Sequence, residues 1–169
     1  ELEFDGNRFE KLDDGSYRLV LWHAQKECGV DLVLTPSKKP VRHGDNGVVR
    51  GPDGADMFYY FIPRMAVAGT ATIGGVASPV KGGSGWYDHE FGGHGDASDA
   101  PITERVAWNW VAAQLDDGSE LTAYTMVDLD TGKNLEQRLV MIAPDGERTE
   151  ATDIELTPLN EWRSTRSFN

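Results

Sequence analysis

Several features that define large protein classes are missing from this sequence. Its 169 residues include one cysteine, Cys28, so no disulfide can form within the chain. No apolar run approaches the ~20 residues of a membrane-spanning helix, and the longest, 57–62, ends at Pro63. The opening residues 1–4 have neither the basic nor the apolar segment of a signal peptide. We therefore expect no membrane span and no signal peptide, and we expect a reducing, cytoplasmic location.

Positive charge is also scarce. The chain has 16 Lys and Arg residues against 28 Asp and Glu residues, which gives a formal net charge of −12. Binding to nucleic acid needs clustered Lys and Arg side chains that neutralise phosphates, so the composition predicts no nucleic-acid partner. The same balance argues against docking on an anionic lipid surface.

Helical periodicity is absent as well, whereas signals for β-turns are frequent. No segment shows the 3.6-residue spacing of an amphipathic helix. Three turn pairs follow one another at equal intervals: Asp117-Gly118, Thr131-Gly132 and Asp145-Gly146. The segments 106–115, 121–129, 135–143 and 149–156 flank these turns and are long enough for strands. This arrangement predicts an antiparallel meander of four strands.

The first half of the chain has a similar β pattern. Apolar residues alternate in 17–23 and 29–34, and a glycine pair at 74–75 separates 65–73 from 76–81. A further strand is predicted at 58–62, ended by Pro63, and long loops are predicted at 38–54 and 92–101. Many short strands joined by hairpins predict an all-β antiparallel fold, either a barrel or a sandwich. An up-and-down barrel would enclose a pocket suited to a small apolar molecule.

The densest group of chemically active side chains lies in residues 82–94. On a strand, Asp88 and Glu90 would point to one face together with Trp86, and Tyr87 and His89 to the other. A carboxyl group held against tryptophan in an apolar pocket can stay protonated near neutral pH and donate its proton. The structural alternative is that buried Asp and His side chains hold a turn through hydrogen bonds.

The same region contains two apparent motifs that we reject. His89 and His94 do not have the His-Glu-x-x-His spacing of a helical zinc site, so no metal site is predicted. Ser84 lies between glycines, but a nucleophile elbow would require glycine where Trp86 stands. We interpret Ser84 as a turn residue.

Aromatic residues of the predicted meander could form a ligand pocket. Trp108 and Trp110 share one face of a strand, and Tyr124 and Met126 share a face of the next strand. The alternative is that all four belong to an ordinary hydrophobic core, which large aromatic side chains often dominate.

Tyr59 and Arg64 lie on either side of Pro63 and are further candidates for contact with a ligand. Arg64 could pair with a carboxylate such as Asp88 or Glu90, or bind an anionic group of a ligand. It could also be a surface arginine without a specific role.

Five segments together form a pattern that is shared with a known family. They are Tyr59-Tyr60-Phe61-Ile62-Pro63-Arg64-Met65, Gly85-Trp86-Tyr87-Asp88-His89-Glu90-Phe91-Gly92, Trp108-Asn109-Trp110, Gln114-Leu115-Asp116-Asp117-Gly118 and Trp162-Arg163-Ser164. This pattern resembles the carotenoid 1,2-hydratase (hydroxyneurosporene synthase) / AttH-like family over residues 28–169.

The resemblance implies a lipocalin-like fold of two packed β-barrels. Residues 1–156 would then form one incomplete barrel, and 157–169 would form a linker and the start of a second barrel that packs against the first. Members of the family hydrate isolated double bonds in carotenoids and phytoalexins, and related members act as cyclases, including Diels–Alderases. The resemblance implies no metal or organic cofactor. It makes Asp88 the expected acid, with Trp86, Tyr87 and His89 as its neighbours.

These observations lead to three functional hypotheses. The first is an enzyme domain for a hydrophobic polyketide or terpenoid, acting by cyclisation or isomerisation, or by double-bond hydration from a protonated carboxyl group. The second is a non-catalytic carrier of apolar molecules, and the third is a structural domain without a ligand. The candidate catalytic residues are Asp88, His89 and Tyr87. The candidate substrate-binding residues are Trp86, Tyr59, Arg64, Trp108, Trp110, Tyr124, Met126 and Glu90.

Overall fold

The computed structural model describes residues 1–44, 46–50, 56–92, 106–157, 159–160 and 163–166. Within these residues the regular structure consists of thirteen β-strands and one short 3-10 turn, Ala24–Lys26. All strand pairs are antiparallel, and they form two sheets. The all-β antiparallel fold predicted from the sequence is confirmed. No described helix has the length and apolar character needed to cross a membrane.

The first sheet contains nine strands and curls into half of a barrel. Its strands are β1 (Leu2–Phe4), β2 (Asn7–Lys11), β3 (Tyr17–His23), β4 (Cys28–Pro36), β5 (Val41–Arg42), β6 (Val48–Arg50), β7 (Asp56–Ile73), β8 (Val76–Val80) and β9 (Ser84–Phe91). The long strand β7 is its centre. One edge of β7 pairs with β4, β5 and β6, and the other edge pairs with β8 and β9.

Strand β7 corrects the prediction that Pro63 ends one strand and starts another. The strand is continuous through Pro63, and the register against β9 shifts between Ile62 and Met65. A bulge of this kind accepts proline because the missing N–H falls where the ladder is already interrupted. The continuous strand therefore carries residues from both predicted segments into one sheet.

One further prediction for the first half is corrected, and one hairpin there was not predicted. The predicted loop 38–54 contains β5 and β6, which form short pairs with β7. The β1–β2 hairpin was not predicted, although Asp5 and Gly6 have the positive φ angles of 49° and 74° that a tight turn needs. The predicted loop 92–101 lies, after Gly92, outside the described residues.

The second sheet is the predicted meander. It consists of β10 (Val106–Gln114), β11 (Glu120–Asp128), β12 (Asn134–Ile142) and β13 (Arg148–Ala151), paired in that order. The turn glycines Gly118, Gly132 and Gly146 have φ angles of 84°, 70° and 89°, which explains why glycine is needed at each turn. Strand β13 is shorter than the predicted 149–156. The predicted domain boundary at 156 stays a prediction.

The two sheets pack face to face through a small core. Phe61 of the first sheet meets Val140 and Ile142 of the second, and all three are almost completely buried. A second cluster, on the opposite face of the first sheet, contains Tyr17, Ile62, Met65 and their neighbours Phe9, Leu34 and Tyr87. Both faces of the first sheet therefore carry packed apolar groups, and the face toward the second sheet also carries the candidate site.

Candidate functional site

An open cleft of about 430 Å³ lies between the two sheets. Strands β6, β7 and β9 form one wall, and β10 and β11 form the other. The residues that line the cleft are Val49, Met57, Tyr59, Asp88, Glu90, Trp108, Trp110 and Tyr124. Six of these eight were candidate site residues in the sequence. We call this space the inter-sheet cleft.

The two carboxyl groups of the cleft and the hydroxyl group of Tyr59 lie on one wall. Tyr59 and Glu90 are cross-strand partners in β7 and β9, and Asp88 follows on the same face as Glu90. The Tyr59 hydroxyl group donates a hydrogen bond to Asp88 Oδ1 over 2.6 Å. Burial, and then this hydrogen bond, raise the pKa of Tyr59 well above its ordinary value, so the phenol keeps its proton. The pair thus holds one oxygen of Asp88 in a fixed place.

The opposite wall is aromatic. Trp108 and Trp110 point to the same face of β10, with Met126 and Tyr124 opposite them on β11. The two tryptophans are 46% and 50% exposed, so they line the cleft and are not ordinary core residues. Tyr124 is buried, and its ring centroid lies 5.6 Å from that of Trp108. The wall therefore offers ring surfaces to a ligand.

The polar end of Tyr124 is engaged by a residue of its own sheet. Its hydroxyl group donates a hydrogen bond to Glu136 Oε1 over 2.7 Å. Burial, and then the contact with Glu136, raise the pKa of Tyr124. What Tyr124 presents to the cleft is consequently an apolar ring edge or face.

The structure separates two of the three predicted catalytic residues from the cleft. Tyr87 and His89 alternate with Asp88 along β9 and lie on the other face of the sheet. There the Tyr87 hydroxyl group and His89 Nδ1 are 2.6 Å apart, and Tyr60 stacks on the His89 ring at 5.1 Å. Burial is the main cause that raises the pKa of Tyr87. These two residues therefore cannot reach a ligand in the inter-sheet cleft directly.

Trp86 and Met126 lie beside the cleft but do not line it. Trp86 stacks on Phe61 at 5.1 Å with nearly parallel rings, and its indole Nε1 is buried without a hydrogen-bond partner in the described residues. Met126 is 2% exposed in the core of the second sheet. Both residues lie on the inner faces of the sheets, Trp86 packed against Phe61 of the inter-sheet core and Met126 on the face that carries Tyr124.

Arg64 does not pair with Asp88 or Glu90, which corrects one of the predicted alternatives. Its Nε donates instead to Oε1 of Glu120, which is fully buried on β11. Lys38 holds the other oxygen of the same carboxylate at 2.7 Å. A buried carboxylate needs such partners, and it draws the guanidinium away from the cleft. Arg64 is thus part of a link between the sheets.

His43 was missed by the sequence reasoning because it falls in the predicted loop 38–54. It is completely buried, and its ring stacks on Tyr59 at a centroid distance of 4.4 Å. Neither ring nitrogen has a hydrogen-bond partner in the described residues. Burial lowers the pKa of His43 to about 4, and the charges of Arg138 and Arg148 add to this effect. The alternation of apolar and charged side chains at 41–43 is a sequence signal for the short strand β5 (Val41–Arg42).

No group of three or more His, Cys, Asp and Glu side chains within the described ranges is arranged to hold a metal ion. His94, the second histidine of the rejected zinc motif, lies outside these ranges.

Comparison with known proteins agrees with this architecture. The family described as AttH-like matches residues 2–169. The crystal structure of an AttH protein (NE1406) from Nitrosomonas europaea superposes with a TM-score of 0.81 at 26% identity, covering 99% of this chain and 51% of that one. Kievitone hydratase from Nectria haematococca superposes with a TM-score of 0.67 at 14% identity, covering 90% and 45%, and shows the fold alone. The chain thus spans about half the length of these structures. No curated protein matches the sequence.

Proposed function

The chain belongs to the AttH-like family, and from this premise and the geometry of the inter-sheet cleft we propose that it is the ligand-binding part of a hydratase-type enzyme. Its substrate would be a hydrophobic molecule of the polyketide or terpenoid class that carries an isolated double bond. The observation that carries the proposal is the Tyr59–Asp88 hydrogen bond of 2.6 Å on a cleft whose other wall is aromatic. A similar fold in a protein named as a hydratase supports the reaction class.

In this proposal Asp88 is the acid. Tyr59 donates to Oδ1, which leaves Oδ2 as the oxygen that would deliver the proton to the substrate. The π electrons of the double bond take this proton, which leaves a carbocation on the substrate and a carboxylate on Asp88. Water then adds to the cation. Glu90, on the same face of β9, accepts the proton that the water loses. Glu90 then releases this proton to solvent and Asp88 takes one up, so both carboxyl groups return to their starting states and the net reaction adds one water to one double bond.

The other groups would shape and support the site. Trp108 and Trp110 offer ring faces that stabilise a cation in their vicinity. Tyr87 and His89, bonded to each other behind β9, are proposed as positioning residues that hold the strand. Trp86 and Met126 are proposed to act in the same indirect way.

The test is turnover of a terpenoid or polyketide alkene by the full-length protein. Asp88→Asn should lower kcat by about a thousandfold, because it removes the proton donor. Tyr59→Phe should lower kcat by about tenfold, because it removes only the hydrogen bond that orients the Asp88 carboxyl group. Asp116→Asn is the matched control, since it makes the same change in an exposed hairpin turn. Unchanged turnover by Asp88→Asn would overturn the proposal.

A second candidate function is cyclisation or isomerisation of a polyene. The observation in its favour is the continuous aromatic wall of Trp108, Trp110 and Tyr124, which could hold a flexible chain in one reactive conformation. In this case most of the rate gain would come from positioning. Asp88→Asn would then change the rate only modestly, whereas Trp110→Ala would change it strongly. A carrier would bind the same molecules and release them unchanged.

We also propose that the residues after 156 lead into a second β-barrel that packs against this one. The support is the greater length of the two solved relatives.

A further inference from the structure

The inter-sheet cleft has an unbalanced charge. Two of its lining residues, Asp88 and Glu90, are acidic, and no Lys, Arg or His is among the described residues that line it. Arg64 is held by Glu120 in the link between the sheets. Arg138, which interacts with the side chain of Tyr124, is neutralised by ion pairs with Glu136 and Glu150. Glu90 is a second carboxyl group in the cleft, separate from the proposed acid Asp88. The formal net charge of −12 reinforces this potential over the whole chain.

The aromatic wall also favours a positively charged ligand. Trp108 and Trp110 are about half exposed, and tryptophan is the side chain whose ring face attracts cations most strongly. Tyr124 adds a third ring, and its hydroxyl group is occupied by a hydrogen bond to Glu136. A wall of this kind solvates an alkylated cation well, because such a cation needs few hydrogen-bond acceptors.

Aromatic rings on one side and a carboxylate on the other form the arrangement that recognises alkylated ammonium groups. We propose that the inter-sheet cleft selects ligands that carry an alkylated ammonium group over neutral ligands of the same shape, and that it excludes carboxylates and phosphates. This inference rests on the proposed function only in that it places the ligand in the same cleft. If the ligand is the substrate of the proposed enzyme, this preference restricts the substrate to polyketides or terpenoids that carry an amine and no anionic group.

Three soluble probes of nearly equal shape test the inference: choline, 3,3-dimethylbutan-1-ol and 3,3-dimethylbutanoate. They carry a positive, a neutral and a negative charge in turn. Binding is followed by tryptophan fluorescence and by the NMR signals of the Trp108 and Trp110 indole N–H groups. We expect choline to bind about tenfold more tightly than the neutral alcohol, and the carboxylate to bind most weakly. The preference should shrink as the salt concentration rises.

Two variants locate the effect. Glu90→Gln should weaken choline binding several-fold and leave the affinity for the neutral alcohol unchanged. Glu3→Gln makes the same chemical change on the exposed strand β1 and should leave all three affinities unchanged. The inference is overturned if the alcohol or the carboxylate binds as tightly as choline, or if Glu90→Gln has no larger effect than Glu3→Gln.

The outcome is separable from that of the proposed function. Asp88-dependent turnover of a neutral alkene without a preference for choline would overturn the inference and leave the hydratase proposal in place. A choline preference that depends on Glu90, without Asp88-dependent turnover, would support the inference and count against the hydratase.

Discussion

Lys38 and Glu120 form a buried ion pair that joins the two sheets, with Nζ and Oε2 2.7 Å apart. Glu120 is completely buried on β11, and the Lys38 ammonium group also donates to the carbonyl oxygens of Gly118 and Ala143. Arg64 occupies the second oxygen of the carboxylate. The link places the aromatic wall opposite the wall that carries Asp88.

We predict that Lys38→Met lowers the free energy of unfolding by about 3 kcal/mol, because it leaves a buried carboxylate with one partner instead of two. Urea unfolding followed by tryptophan fluorescence measures the change. Lys39→Met is the matched control, since Lys39 is exposed. Equal effects of the two substitutions would show that the ion pair does not hold the sheets together.

Gly69 provides a second prediction, about the centre of β7. Its φ angle is +142°, and a Cβ atom there would lie 2.1 Å from the carbonyl oxygen of Asp31 on β4. Gly69→Ala should therefore destabilise the protein by about 3 kcal/mol or more, because backbone strain and a backbone clash combine. Gly82→Ala, where the added methyl group meets nothing within 4 Å, should be close to neutral. Thermal unfolding of both variants makes the comparison, and similar melting temperatures would contradict the prediction.

The sequence was sufficient to predict the second sheet and the faces of β9. Both depend on local rules, namely glycine turns at equal spacing and the alternation of side chains along a strand. The continuity of β7 through Pro63 could not be predicted, because a bulge is defined by the partner strand and not by the strand itself. The short strands β5 and β6 escaped prediction for the same reason.

The candidate site was predicted in part. Alternation separates Asp88 and Glu90 from Tyr87 and His89, but it does not reveal which pair faces the second sheet. Pairing with Glu120 could not be foreseen for Arg64, because the two residues meet only through tertiary packing. The shared sequence pattern thus contains residues of two kinds. Some, such as Arg64, link the sheets, and others, such as Asp88, line the cleft.

Gln114, another residue of that pattern, has a linking role that leads to the third prediction. Its side-chain amide donates to the carbonyl oxygens of Pro63 and Gly85, at 2.8 and 3.0 Å, beside the bulge of β7. Gln114→Leu would leave both carbonyl groups without this donor and should lower the free energy of unfolding by about 2 kcal/mol. Gln114→Glu should lower the free energy of unfolding further, because a carboxylate would face two carbonyl oxygens. A smaller loss for Gln114→Glu than for Gln114→Leu, measured in urea at neutral pH, would contradict this account.

His43 leads to the last prediction, which concerns pH. Burial, with a further contribution from Arg138 and Arg148, lowers its pKa to about 4 in the folded protein, against an ordinary value of 6.5. The unfolded state therefore binds a proton more readily between these two values, and acid favours unfolding. Through this residue the free energy of unfolding should fall by about 3 kcal/mol as the pH falls from 6.5 to 4.

His43→Phe keeps the stacking on Tyr59 and removes the titrating group, so its stability should depend less on pH over the same interval. The slope of the unfolding free energy against pH is the relevant quantity, because the substitution can also change stability at every pH through packing. His23→Phe, at the exposed end of β3, is the control and should keep the slope of the original protein. If His43→Phe keeps that slope too, the buried imidazole is not what makes the inter-sheet packing sensitive to acid. If the slope flattens, the wall that supports Tyr59 and Asp88 depends on a neutral His43.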